Sequence, residues 1–455
     1  MHNNLFSQID FGPLMPYLNN DDVTDISYSN NGQVWLKTLS QGIFRIENPL
    51  VNNEMMEKLA FQCSNVMGHS FNAAHPFLDS ESAELRMNFI HDSIASNGIA
   101  CVIRKTPAKI RLEKDKIIAE KYITADIHDF LIQCVLGHCN IIVCGETGSG
   151  KTEFVKYLAS KTKEDEKVIT IEDTLELHLD RIFPHRDIVA MKTNNIASYS
   201  DVLVTCMRQN PKWILLSEVR SAEAVQAVRN SISSGHYILS TIHADKASSI
   251  PNRMYSLLET SQDIDQFLKS IYRYIQLGVL IRGYQDKVTK RFIREVAEVT
   301  EFYVTEDNEA KYNVIYKKTT SGKVVRNNPS AYLIDYIEGQ GVKIPDGFIN
   351  PLYDVKSETK DNNVDDIKTT VLKPVYEHQV SQTPVVSTYK APSIPVYEQP
   401  MYQAPVEPVV PIYKAPVEPV YEQPMYQTQN PPAYKQPMYQ APNGQTFDFI
   451  NQTNE

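Results

Sequence analysis

The six cysteines of this 455-residue chain (Cys63, Cys101, Cys134, Cys139, Cys144 and Cys206) include no Cys-x-x-Cys pair. Cys134 and Cys139 stand five apart with no second pair to complete a zinc site, so the pattern predicts buried free thiols in a reducing compartment. No run of 18 apolar residues occurs, and no membrane-spanning helix is expected. Met1 to Asp10 has neither a basic segment nor an apolar stretch, so no signal peptide is expected there. Positive charge is not in excess either: 45 Lys and Arg face 55 Asp and Glu, a formal net charge of −10. That balance argues against nucleic acid as the primary ligand. The remaining expectation is a cytoplasmic chain of two or three domains with ample core, reaching a membrane only through partners.

Against these absences stands one dense signal, Gly145-Glu146-Thr147-Gly148-Ser149-Gly150-Lys151-Thr152. Two glycines with four residues between them, followed by lysine and a hydroxyl residue, make a phosphate loop. The apolar run Asn140 to Cys144 before it predicts a buried strand, and Glu153 to Lys161 after it predicts a helix. Glycines let backbone N–H groups turn inward around phosphate oxygens, and the helix directs its positive end at them. Lys151 is expected to reach the terminal phosphates, and the Thr152 hydroxyl to ligate Mg²⁺.

Residues 1–112 read as a smaller α+β domain. Asp25 to Tyr28 and Gln33 to Lys37 flank Asn30-Asn31-Gly32, a hairpin signal. Apolar residues recur at helical spacing from Asn53, read as the cap, to Gly68. Glu84 to Ile90 and Ile99 to Arg104 read as strands, and 113–122 as a charged linker. Residues 123–318 then alternate helix and strand, which predicts an α/β doubly wound sheet. In such sheets ligands bind outside the carboxyl ends of the strands. Gly145 onward, Glu172-Asp173, Ser217-Glu218 and His243 each follow an apolar run and so converge there. Glu218 fits the acidic position after a strand that serves magnesium and water. Glu172, Asp173 and Glu176 form a second acidic group. Residues 319–355 read as a connector. Residues 356–455 read as a disordered Pro/Tyr-rich tail in which Tyr397 to Gln403 recurs from Tyr421 and, with Lys435, from Tyr434. Its spaced prolines suit recognition by aromatic grooves, which makes a docking scaffold one reading of the tail and a spacer the other.

Four motifs together resemble the secretion ATPases of the type II/type IV superfamily, in particular the conjugation-channel and Tad-pilus branch. Gly145 to Thr152 is similar to the Walker A box, Thr170 to Leu177 to the acidic box, Ser217 to Ala224 to a Walker B with glutamate for aspartate, and Ser234-Gly235-His236 with Ser240 to Ala244 to the His box. Arg86-Met87-Asn88 and Ile103-Arg104-Lys105 resemble the family's sensor domain. Lys212-Trp213 and Ser217 depart from the pattern around Glu218, and a tetracysteine zinc module is missing.

The resemblance implies a PAS-like sensor domain before a RecA-like motor, six copies in a ring, ATP with Mg²⁺ bound between the two domains, and a membrane-embedded secretion or conjugation channel as partner. Residues 145–152 and Arg104 are then expected to bind nucleotide, and Thr152, Glu172, Asp173 and Glu218 to hold magnesium. Lys151, Glu218, Glu176 and His243 are expected to serve catalysis. A pilus assembly or retraction motor shares every motif, and a RecA-like nucleic-acid translocase is the reading from another class.

Overall fold

The computed structural model describes residues 9–354 apart from 83, 195 and 259–262. The chain divides into two units, Met1–Val375 and Tyr376–Glu455, and the second lies outside the described residues, as does the tail read as disordered.

The amino-terminal module begins with a short helix α1 (Met15–Leu18) and strands β1 (Val23–Ser29), β2 (Gln33–Thr38) and β3 (Gly42–Ile46). Helix α2 (Asn53–Met67) and strands β4 (Phe77–Glu81), β5 (Leu85–Ile90) and β6 (Ala100–Lys105) follow. Asn30 and Asn31 both take positive φ in the β1–β2 turn, a conformation asparagine tolerates. Asn52, not Asn53, caps α2 by accepting a hydrogen bond from the Met55 N–H, and left-handed Gly68 ends the helix. The strands form one antiparallel sheet in the order β3-β2-β1-β6-β5-β4. Its inner face packs Ile26, Leu36, Met87 and Ile103 with Met56, Leu59 and Cys63 of α2 in a separate core.

The expected linker is partly helical. Helix α3 (Lys114–Ala119) buries Ile117 and leads into α4 (Ala125–Leu136). Strand β7 (Ile141–Cys144), helix α5 (Lys151–Ala159), strand β8 (Val168–Glu172), helix α6 (Leu179–Ile182) and strand β9 (Ile188–Lys192) come next. Then follow α7 (Tyr199–Met207), β10 (Trp213–Val219), α8 (Ala222–Ser233), β11 (Tyr237–Ile242), α9 (Ile250–Ser256) and α10 (Ile264–Tyr274). The last strands are β12 (Leu277–Gln285), β13 (Phe292–Val304), β14 (Ala310–Lys318) and β15 (Val324–Arg326), with α11 (Ala331–Gly339) and α12 (Pro351–Asp354) in the expected connector.

These strands make a nine-stranded mixed sheet, β15-β14-β13-β12-β7-β11-β10-β8-β9. The six strands from β12 to β9 are parallel, and β13 to β15 extend the sheet antiparallel. Two cores flank it: α4, α5 and α11 cover one face and α7 to α10 the other. Every residue of β7 and β8 is buried, as a strand covered on both faces requires. The crossovers bring the carboxyl ends of β7, β8, β10 and β11 to one edge.

Candidate nucleotide-binding site

The phosphate loop joins β7 to α5 with Gly145, Gly148 and Gly150 all at positive φ. At Gly145 a side chain would also run into the Ile281 carbonyl of β12, so the loop can pass there only without a Cβ. Gly150 occupies the α5 N-cap in a left-handed conformation and offers no capping side chain. The first N–H groups of that helix are therefore left to an outside acceptor. The Ser149 hydroxyl is buried beside them with no partner among the described residues. Unclaimed donors in a glycine cradle at a helix amino terminus fit an oligophosphate.

Lys151 is buried and turns back on its own loop, donating to the carbonyls of Gly145 and Glu146, both at 3.1 Å. Burial pulls its pKa down, and the field of Glu218 opposes that fall. Its ammonium also lies 3.5 Å from Nδ1 of His243, whose Nε2 is 2.8 Å from Glu218 Oε1. An ammonium can only donate, so a Lys151–His243 hydrogen bond requires Nδ1 to accept. The proton of the neutral imidazole then sits on Nε2 and is donated to Glu218. Three residues from three strand ends thus form one directed chain, Lys151 to His243 to Glu218.

The acidic turn after β8 divides its work. Glu172 is fully buried; one oxygen accepts from the Thr170 hydroxyl at 3.1 Å, the other from the N–H groups of Glu176 and Leu177 at 2.9 and 3.1 Å. Burial raises its pKa to about 7 despite those bonds. The Glu172 carboxyl, expected to hold metal, is engaged in shaping the turn, with both oxygens accepting hydrogen bonds from its own segment. Asp173 likewise faces another partner, pairing with Arg220 on the neighbouring turn and accepting from the Thr174 N–H. That turn presents Glu176 on the side of Thr152. Burial raises the Glu176 pKa, while Arg104, Thr152 and Arg86 restrain the rise.

Arg104 comes from β6 of the other sheet. Its Nε donates to Asp25 at 2.9 Å. Burial alone would lower its pKa, but Asp25, Glu176 and Glu218 outweigh that and raise it. The guanidinium therefore stands in the field of both motor carboxylates. Arg86, opposite Arg104 in the β5–β6 register, acts on Glu176 as well. On the motor side, Arg294 of β13 packs by Gly150 and donates to the Leu39 carbonyl at 3.1 Å. The Phe292 N–H donates to the Ser40 carbonyl at 2.9 Å. Ion pairs Arg181–Glu84 (3.2 Å) and Lys192–Glu81 join the same two sheets. Arg294 carries no sequence signal, because its partners lie far away in the chain.

The model of the family described as "Type II/IV secretion system protein" matches residues 77–312, just over half of the chain. The chain belongs to this family. Relatives of this type II/IV secretion protein include an uncharacterised protein of Bacillus anthracis, 27% identical over 292 residues, which cover 62% of this chain and 66% of that one. The "Type IV secretion system protein VirB11" of Bartonella henselae is 33% identical over 196 residues, covering 42% of this chain and 52% of its own length. The chain thus spans less than two thirds of either relative. Among solved structures, the VirB11 ATPase of the Brucella suis type IV secretion system is 22% identical, with a TM-score of 0.34, covering 63% of this chain and 91% of that one.

Proposed function

We propose that this protein is a cytoplasmic ATPase that works as a ring, its expected size six copies, to drive a type IV secretion or conjugation channel at the membrane. None of the described helices is long and apolar enough to cross a membrane, so attachment is assigned to channel partners. The observation that carries the reading is the chain Lys151–His243–Glu218 ending beside a glycine cradle, with Arg104 across the cleft.

In this reading the cradle N–H groups and Lys151 hold the triphosphate of ATP. No group of three or more His, Cys, Asp or Glu among the described residues is arranged to hold a metal alone. That suits Mg²⁺, which uses few protein ligands and takes the rest from phosphate and water. Thr152 would hold the ion, with Glu176 and Glu218 in the next layer; bound there, it supplies charge neutralisation at the phosphoryl oxygens. Glu218 is the candidate base that takes a proton from the attacking water. His243 holds the Glu218 carboxylate in place and links it to the lysine that senses the terminal phosphate. Arg104 adds positive charge from the other sheet, so closure of the two sheets on each other becomes part of the site. The deciding experiment is Mg²⁺-dependent ATP turnover in Lys151→Ala. Loss to background, at least roughly a hundredfold, is expected; turnover persisting in that variant overturns the assignment.

A further inference from the structure

Sheet register points to one more residue of this site. Opposed residues on neighbouring strands share a face. Across the amino-terminal sheet, Lys37 is opposite Asp25, Asp25 opposite Arg104, Arg104 opposite Arg86, and Arg86 opposite Glu81. Lys37, Arg104 and Arg86 therefore stand in a single row on the face turned to the motor. Glu81 at one end pairs with Lys192 of β9, and Arg86 and Arg104 lie by Glu176. At the other end Lys37 reaches the phosphate loop: a Cβ built on Gly148 would lie 2.5 Å from its Nζ and 3.3 Å from its Cε.

We infer that Lys37 is a phosphate-contacting residue, delivered over Gly148 by the amino-terminal sheet. The inference rests on the nucleotide reading above and adds a ligand contact from outside the span the family model matches, which begins at residue 77. The charge of Lys37 has no other employment. Its ammonium makes no ion pair or hydrogen bond with any described residue. The nearest carboxylate in register, Asp25, is spent, with Oδ1 on Arg104 at 2.9 Å and Oδ2 on the Thr24 hydroxyl at 2.8 Å.

The lysine is also held in place. The turn after β2 is tied down internally by Ser40 N–H to Asp22 Oδ1 at 3.0 Å. It is tied to the motor by Phe292 N–H to the Ser40 carbonyl and Arg294 Nη1 to the Leu39 carbonyl. Arg294 itself packs by Gly150, so the clamp that fixes the turn touches the same loop that Lys37 overhangs. A half-buried, unpaired ammonium beside a glycine loop that opens an uncapped helix amino terminus complements an anion. Lys151 would meet the triphosphate from inside the motor and Lys37 from the opposite wall.

The test uses the full chain as wild type, Lys37→Met, Lys37→Arg and Lys151→Ala, titrated with a non-hydrolysable fluorescent ATP analogue and with fluorescent ADP at equal Mg²⁺. Lys37→Met is expected to weaken the ATP analogue roughly tenfold, the size of one charge-assisted contact, and ADP by less. Lys37→Arg should recover most of the loss. Its thermal unfolding should match wild type, because Lys37 supports no other residue. Lys37→Met binding both nucleotides as wild type does, while Lys151→Ala is impaired, removes Lys37 from the site and leaves the nucleotide reading standing. Wild type binding neither nucleotide removes the nucleotide reading and this inference with it. Equal losses in Met and Arg variants would mark a packing role and overturn the charge assignment.

Discussion

Strands β8 and β10 lie side by side in parallel, and each carries an acidic residue at its carboxyl end, Glu172 as the last residue of β8 and Glu218 as the last but one of β10, yet the two carboxyls have opposite surroundings. Glu172 is sealed in, and backbone N–H groups and a hydroxyl of its own segment use both of its oxygens. Glu218 is partly exposed and spends one oxygen on His243. The difference follows from where the next residues go. After β8 the chain folds back over the strand end and wraps the first carboxyl as an internal cap. After β10 it leaves directly through Arg220 into α8, so the last carboxyl of the strand stays at the edge. Acidic character alone does not make a site; an oxygen left free on the cleft side does.

Substitution by glutamine separates the two most sharply. Glu218→Gln is expected to lower ATP turnover roughly 10²–10³-fold, the contribution of a positioned base, with ATP binding retained. Glu172→Gln should change turnover by less than about threefold, because an amide oxygen can still accept the two N–H groups and the amide nitrogen can donate to Thr170. Steady-state rates for both variants check this, and equal losses would erase the distinction.

Arg104→Ala tests whether Glu218 works with the second sheet. A loss of roughly thirtyfold in turnover, about 2 kcal/mol, is expected, with circular dichroism and sedimentation unchanged. Unchanged turnover would take the amino-terminal sheet out of the reaction.

The smallest effect concerns stability and pH. The Glu172 pKa of about 7 in the fold lies above its ordinary value of 4.5. Between those values the folded chain holds a proton that the unfolded chain has released, so stability must fall as pH rises through that window. Denaturant unfolding at pH 5 and pH 8 should show wild type losing on the order of 2 kcal/mol relative to Glu172→Gln. A constant difference between the two proteins would mean that Glu172 ionises as it does in the unfolded chain.

Much of this site is legible in the sequence. A short apolar run followed by a polar residue is a local pattern, and it located Lys151, Glu218 and His243 at strand ends. Gly42–Ile46, Phe77–Glu81, Ile188–Lys192 and Leu277–Gln285 are strands that carry no clear strand pattern in the sequence. β3, β4 and β9 lie at sheet edges, where one side of the strand needs no partner and the apolar pattern weakens. Leu277–Gln285 carries Gly278 and Gly283, which look like breaks. Gly283 is needed because a side chain there would press into the Phe292 ring on β13.

By itself the sequence determined the phosphate loop, the α/β alternation and the family, since each rests on residues near one another in the chain. Tertiary structure alone decided which carboxylates are available, because that depends on which N–H groups and arginines reach them first. It also decided that Lys37, 111 positions before Gly148, overhangs that glycine, a consequence of cross-strand register in one sheet and a two-point clamp to another.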